Sequence, residues 1–270
     1  MKADQKRLRQ LRDKIRSYGS GAVAFSGGVD SALVARIAKD ELGDRAVAVT
    51  IDSPMYPSSE LKAAKEAARG IGIEHVVVEV DTLADKGFIS NPPDRCYICK
   101  LDDLKRIREI ADERGLKEVL DGSNADDAND YRPGLKAKKE TGTRSPLAEV
   151  GLGKREVRSI SKSLGLRTAA KSSSPCLASR IPYGETITRE KLAMIEEAEE
   201  YLRSKGFDQV RVRMHGSCAR IELSPKEISR LAVPGTRISV AKKFRALGFT
   251  FVSVDLDGYR MGSLNEVLDK

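Results

Sequence analysis

Residues 26–31 read Ser-Gly-Gly-Val-Asp-Ser, directly after the apolar run Ala22-Val23-Ala24-Phe25 and before a helix-like stretch. A strand that ends in Ser-Gly-Gly and turns into a helix forms an anion nest. Gly27 and Gly28 let backbone N–H groups approach a phosphate, Ser26 and Ser31 offer hydroxyls, and the helix N-terminus adds its positive end. Asp30 repels a bare phosphate, so it makes sense as a partner for Mg²⁺ riding on the phosphates. A tight turn would account for the Gly-Gly pair alone; all six positions together point to phosphate binding. The spacing is neither the G-x-x-x-x-G-K-[ST] of Walker loops nor the G-x-G-x-x-G of dinucleotide folds.

A second group of polar residues is Asp121-Gly122-Ser123-Asn124-Ala125-Asp126-Asp127. Alone it reads as a solvated turn, for which Asn, Asp and Gly are the usual residues. Beside a phosphate loop on a sibling strand it reads as a nucleotide–Mg²⁺ site, with Gly122 and Ser123 at the nucleotide and Asp126 and Asp127 at the metal. Asp52-Ser53 ends another strand and joins the same group.

Cys96 and Cys99 are spaced Cys-x-x-Cys in a Pro-bearing loop, and Cys176 lies in a Ser-rich loop further on. Such spacing suits two thiolates on one metal or cluster. A closed zinc site wants a fourth ligand, and neither Cys218, His75 nor His215 shares that loop context. Three thiolates suit a [4Fe–4S] cluster with one iron left open. A redox disulfide between Cys96 and Cys99 is the competing reading, and Cys218 reads as strand packing. Ser179-Arg180 and the strand pair Arg211 and Arg213 supply guanidinium groups; two residues apart, the latter share one face and suit a phosphate or carboxylate, or an exposed polar face.

The elements that must position these groups alternate. Apolar runs at residues 21–25, 45–51, 75–80 and 117–120 are separated by helical patterns at 32–42, 58–71 and 101–114. This predicts an α/β domain over residues 1–180, a parallel sheet with helices on both faces. Ligands in such sheets bind beyond the carboxyl ends of the strands, where the loop 26–31, Asp52 and Asp121–Asn124 all fall. Residues 91–99 and 171–184 read as loops, with a helix at 154–164 between them. A smaller α+β domain over 181–270 follows. Its expected elements are a helix at 188–205, alternating strands at 209–214 and 218–223, a helix at 228–247 broken at Pro234-Gly235, and a last strand at 250–255, the strands forming an antiparallel sheet.

With 40% hydrophobic and 33% charged residues the chain is globular and not disordered. No run approaches the roughly 18 apolar residues of a membrane span. Residues 1–16 alternate charge with Leu and Ile and lack the apolar centre of a secretory signal, so a cytoplasmic location is the default expectation. The net charge of +8 invites a nucleic-acid partner. The basic residues alternate with acidic ones, however, and aromatics are only 5% with no Trp, which leaves few stacking platforms for bases. A small anionic substrate explains the same excess. A homo-oligomer is expected.

These motifs resemble the PP-loop ATP pyrophosphatase superfamily, which binds the pyrophosphate of ATP through SGGxDS and adenylates a substrate oxygen. Within it the chain is similar to the LarE family of sulfur transferases, which mature the lactate racemase cofactor. The matching pieces are AFSGGVDSALVA, DGSNADDANDYRPG, RSPLAEVGLGKREVR, and SSSPCLASRIPYGE followed by VRVRMHG, over most of residues 20–220. The resemblance implies ATP and Mg²⁺ as cofactors and pyridinium-3,5-biscarboxylic acid mononucleotide as substrate. One of its carboxylates is adenylated and then converted to a thiocarboxylate. One group of the family sacrifices the sulfur of the cysteine equivalent to Cys176. The other adds a Cys-x-x-Cys and holds a [4Fe–4S] cluster fed by sulfide or a sulfur donor. Arg95-Cys96-Tyr97-Ile98-Cys99-Lys100 puts this chain with the cluster group. The resemblance further implies Ser179, Arg180, Arg211 and Arg213 at the substrate, and Asp30, Cys176, Arg180 and Glu200 as catalytic residues. The competing readings are a PP-loop tRNA thiolase and a nonenzymatic iron–sulfur or nucleotide-binding protein.

Overall fold

The computed structural model describes residues 2–129, 134–171 and 175–267. Two compact units divide the chain: residues 1–81 with 94–174, and residues 82–93 with 175–270. Among the described residues no helix is long and apolar enough to cross a membrane.

The first unit is built on strands β1 (Gly21–Ala24), β2 (Ala46–Asp52), β3 (Glu74–Glu79) and β4 (Glu118–Leu120), in the order β3-β2-β1-β4. All pairings are parallel. Alternation along β1 sends Val23 to one face and Ala22 to the other. Val23 joins a core formed with the helices Lys2–Tyr18, Val29–Leu42, Ser58–Ile71 and Lys154–Ser163. Ala22, Val47 and Val49 pack instead on Leu104, Ile107 and Ala111 of the helix Arg95–Glu113. Both faces of the sheet are thus covered, as the alternating pattern predicts. Because β2 and β4 lie on opposite sides of β1, the strand order reverses there, and ligands in such sheets bind beyond the carboxyl ends of the strands at that point.

The helix expected at 101–114 starts at Arg95. A proline restricts its own φ and bars only the residue before it from right-handed helical backbone, and nothing in residues 95–100 breaks a helix. Cys96 and Cys99 therefore stand on the first turn of a helix and not in a loop.

In the second unit, β5 (Val210–His215) and β6 (Cys218–Leu223) form an antiparallel hairpin, and β7 (Phe251–Val254) pairs parallel to β6. The sheet is mixed, where a purely antiparallel one was expected. Two helices, Ile228–Ala232 and Pro234–Ala246, form the β6–β7 crossover, and a crossover of that length is what parallel return requires. The break between these helices is at Val233, extended at φ −56° and ψ 133°. A residue before proline is barred from helical backbone, and Pro234 opens the next helix as its first residue. Residues 82–93 join this unit through Asn91, which is fully buried at φ 58°. Its side-chain amide donates to the carbonyls of Pro182 (2.7 Å) and Glu185 (3.1 Å), and its own carbonyl accepts from Gly184 N (2.9 Å).

Gly122 sets how closely the β4 loop approaches the loop after β1. A Cβ there would sit 2.7 Å from Ser31 N and 3.1 Å from Ser31 Cα, and neither backbone atom can swing away. Gly122→Ala therefore destabilises the fold by about 1–3 kcal/mol, the usual cost of overpacking, and weakens ATP binding. Urea denaturation and ATP titration calorimetry check both effects.

Candidate active site

The loop after β1 is tied by its own serines. Ser31 Oγ accepts from Ser26 N (3.3 Å) and lies 3.2 Å from Ser26 Oγ, which accepts from Gly28 N (3.3 Å). Gly28 is the N-cap of the helix Val29–Leu42, with no side chain closing that end. The first-turn N–H groups stay available to an anion, and the helix dipole favours one there. Gly27 carries φ +65°, and a Cβ on it would meet Ala64 Cα at 2.7 Å. Only glycine lets this loop lie against the helix Ser58–Ile71.

A cavity of about 410 Å³ opens in front of this loop, lined by Ser26, Gly28, Asp30, Ser31, Asp52, Gly122, Ser123 and Asp127 among others. It gathers most of the nucleotide residues expected from sequence. Three lysines that sequence reasoning did not single out also line it. Lys154 pairs with Asp30 Oδ2, while Asn124 Nδ2 donates to Asp30 Oδ1 (3.3 Å). Lys171 Nζ bonds Glu60 Oε2 (2.7 Å) and Gly27 O (3.3 Å). Arg158 fixes the Lys171 segment by donating to Ala169 O (2.7 Å) and Lys171 O (3.0 Å). Lys100 is the third cation.

Asp121 is buried at the floor and accepts from Ser123 N (3.1 Å), Ser123 Oγ (2.7 Å) and Ser145 Oγ (2.7 Å). Burial opposes its charge, but Lys100, Lys138 and these hydroxyls outweigh burial and hold its carboxyl below the ordinary range. Asp103 goes the other way. Burial pushes it up to about 6, against the pull of Lys100, and it accepts from the Cys99 thiol (3.8 Å).

The two aspartates expected at the metal part company. Asp127 lines the cavity, its Oδ2 accepting from Asn124 N (3.0 Å). Asp126 is exposed, and its Oδ2 accepts from Lys154 N (2.8 Å), capping the helix Lys154–Ser163. His75, given no role from sequence, has a structural one. The Thr50 hydroxyl spends its proton on Phe25 O (2.6 Å), so the 2.7 Å contact with His75 Nε2 makes that nitrogen the donor.

The other chemistry-bearing group belongs to the second unit. Cys176 is half-buried at the N-cap of the turn Leu177–Arg180. Its carbonyl accepts from Ser179 N (3.1 Å), Ser179 Oγ (2.8 Å) and Arg180 Nη1 (3.0 Å). Arg180 is wholly buried and forks onto Glu199 through Nε (2.8 Å) and Nη2 (3.0 Å). Burial works against the charge of Glu199, but Arg180 and Arg203 hold its carboxyl below the ordinary range. On β5, Arg213 forks onto Glu222 (3.0 and 2.9 Å) and donates to Ser179 O (2.7 Å). Arg211, on the same face, donates to Val210 O (2.7 Å) and lies over the Tyr259 ring.

Glu200, expected beside the substrate, faces solvent, and Glu199 takes the inward position. The signal was present in the helix Arg189–Ser204, where Leu192, Ile195, Glu199 and Leu202 follow helical spacing on one face.

None of the four cysteines is in a disulfide. Cys96 and Cys99, in the first unit, are three apart on one helix and so share a face. Cys96 is exposed and Cys99 half-buried. Among the described residues no three Cys, His, Asp or Glu side chains stand together as a ready metal site. Residues 130–133 of the Asp-rich motif and residues 172–174 ahead of Cys176 lie outside the described residues.

Comparison with known proteins places this geometry. The asparagine synthase family model matches residues 9–96, through the phosphate loop. A pyridinium-3,5-bisthiocarboxylic acid mononucleotide synthase of Lactiplantibacillus plantarum is 41% identical over 92% of this chain and 90% of its own length. The chain belongs to that synthase family. An uncharacterized member from Synechocystis is 45% identical over 98% of this chain and 99% of its own. The B subunit of a glutamine-hydrolysing GMP synthase from Archaeoglobus fulgidus is more distant, 24% identical over 74% of this chain and 69% of its own.

The Arg180–Glu199 pair gives this site a direct test. Glu199→Ala leaves a buried guanidinium uncompensated and costs about 3–5 kcal/mol. Glu200→Ala, an exposed change on the same helix, stays within about 0.5 kcal/mol. Denaturant unfolding of both variants measures the difference.

Proposed function

We propose that this chain is an ATP-dependent sulfur transferase acting on pyridinium-3,5-biscarboxylic acid mononucleotide. The observation that carries the reading is the open helix N-terminus behind Ser26–Ser31, facing a cavity with three lysines, in a chain that aligns over about nine-tenths of its length with a bisthiocarboxylate synthase. A carboxylate is a poor electrophile because its oxygen is a poor leaving group. Attack of a carboxylate oxygen on the α-phosphorus of ATP forms an acyl-adenylate and expels pyrophosphate. The first-turn N–H groups of the helix Val29–Leu42, with Lys154 and Lys171, stabilise the charge on the departing pyrophosphate. Sulfide then attacks the acyl carbon, the C–O bond breaks with its electron pair leaving on AMP, and loss of the sulfur's proton gives the thiocarboxylate.

The cavity's own charges call for a divalent cation. Asp30, Asp52, Glu60, Asp103, Asp121 and Asp127 outnumber Lys100, Lys154 and Lys171 around it. Mg²⁺ takes one or two carboxylates and completes its shell with phosphate oxygens and water. Asp30 and Asp127 are the donors that fit, while Asp126 serves the helix cap. Mg²⁺ there supplies charge neutralisation on the phosphates.

The sulfur end rests on the thiols. Cys96 and Cys99 on one helix, with Cys176, are the donor set of a [4Fe–4S] cluster. Such a cluster, when bound, supplies an iron with an open position at which sulfide is carried. In the second unit five guanidiniums, Arg180, Arg203, Arg211, Arg213 and Arg220, face three carboxylates, Glu199, Glu222 and Asp255. That excess of positive charge suits a substrate bearing a phosphate and two carboxylates, with Ser179, Arg211 and Arg213 nearest to it. Sulfide or a sulfur carrier as donor, a cytoplasmic location and a homo-oligomer belong to the same proposal.

Pyrophosphate release tests the reading: it requires the pyridinium nucleotide and is indifferent to tRNA. Dependence on tRNA, or release with neither, overturns it. Cys176→Ala abolishes thiocarboxylate formation, followed by mass spectrometry, and leaves ATP affinity within about threefold. Equal loss of both contradicts the separation of the sulfur and adenylation roles.

A further inference from the structure

We infer that Arg180 is a positioning residue that sets the backbone of Cys176 from inside the second unit, and is not a ligand for the substrate. The inference rests on the sulfur-transfer reading for its kinetic test, though its geometry stands alone.

Arg180 has no exposed surface. One edge of its guanidinium is spent on the two oxygens of Glu199, which is itself buried and held in place by Arg203 Nη2 (2.6 Å) and by Val212 N (3.1 Å). The other edge, Nη1, reaches Pro175 O (2.8 Å), Cys176 O (3.0 Å) and Ser179 Oγ (2.9 Å). A planar fork fixed on a carboxylate leaves its remaining N–H groups no freedom of direction. The carbonyls on both sides of the Pro175–Cys176 junction are therefore held from below.

The far end of the turn is held in the same way. Arg213, forked onto buried Glu222, donates to Ser179 O (2.7 Å). The anchors stand on different elements: Glu199 on the helix Arg189–Ser204 and Glu222 on β6. Two rigid elements thus pin the main chain of residues 175–179 while the Cys176 side chain stays half-exposed. This division suits a thiol that must present its sulfur at one place. A misplacement of about 1 Å at a reacting group costs on the order of a hundredfold in rate.

A lysine at 180 keeps the charge but cannot fork. Arg180→Lys lowers thiocarboxylate formation at least tenfold at saturating nucleotide, leaves KM for the pyridinium nucleotide within twofold, and changes the iodoacetamide labelling rate of Cys176 at least threefold. Labelling is read on the Cys176 peptide of the full-length chain by mass spectrometry. If that variant does not fold, Arg180→Met combined with Glu199→Gln removes both charges together and gives the same pattern. A tenfold rise in KM with unchanged labelling would mean that Arg180 meets the substrate, and overturns the inference. Unchanged kinetics and labelling overturn it equally. Failure of the wild-type chain to use the nucleotide rejects the proposed function alone, because the labelling comparison still decides the role of Arg180.

Discussion

The contact between Gly122 and the backbone of Ser31 is the constraint on which the first unit depends. Parallel strands β1 and β4 are neighbours, but their chains leave in different directions, and only a residue without a side chain lets the two loops meet. Their meeting fixes the start of the helix Val29–Leu42 against the end of β4. The open N–H groups of that helix then face the same cavity as Asp121, Ser123 and Asp127. Placing an open helix N-terminus and a group of carboxylates on one crevice thus follows from sheet topology plus two glycines, Gly27 and Gly122.

Buried charge organises the two units differently. In the first, Asp30 with Lys154, and Glu60 with Lys171, form partly exposed pairs at the rim of a cavity. Such pairs contribute little to stability and can exchange partners when a polyanion arrives. In the second, Arg180–Glu199 and Arg213–Glu222 are sealed from water. Desolvation makes a sealed pair a poor source of stability but a severe penalty when half of it is removed. Partly exposed charge rims the cavity of the first unit, and sealed charge lies against the turn that carries Cys176 in the second.

Much of this was legible in residue order. The alternation of apolar runs with helical patterns located β1 to β4 within a residue or two, because β1 and β2 are buried along most of their length and β3 and β4 carry apolar residues between or after their glutamates. The Ser26–Ser31 loop was readable because its chemistry is local. What escaped the sequence depends on partners far away in the chain. Lys154 at a helix start and Lys171 in a loop look like any other lysine until topology brings them to the crevice. Residues 82–93 carry no sign that Asn91 bonds to residues near 182. The helix start at Arg95 was hidden by the preceding prolines, each of which bars only the residue before it from helical backbone. Glu199 was legible and passed over: its place in the 192–195–199–202 series marks the inward face, and Glu200 lies outside it.

The account's central claim is that ATP activates a carboxylate by taking one of its oxygens. Oxygen-18 in the carboxylates of the pyridinium nucleotide tests this most directly, with AMP recovered after a single turnover and its mass measured. The account predicts one labelled oxygen in the phosphate of AMP, released together with pyrophosphate. AMP without label, or ADP in its place, would contradict it.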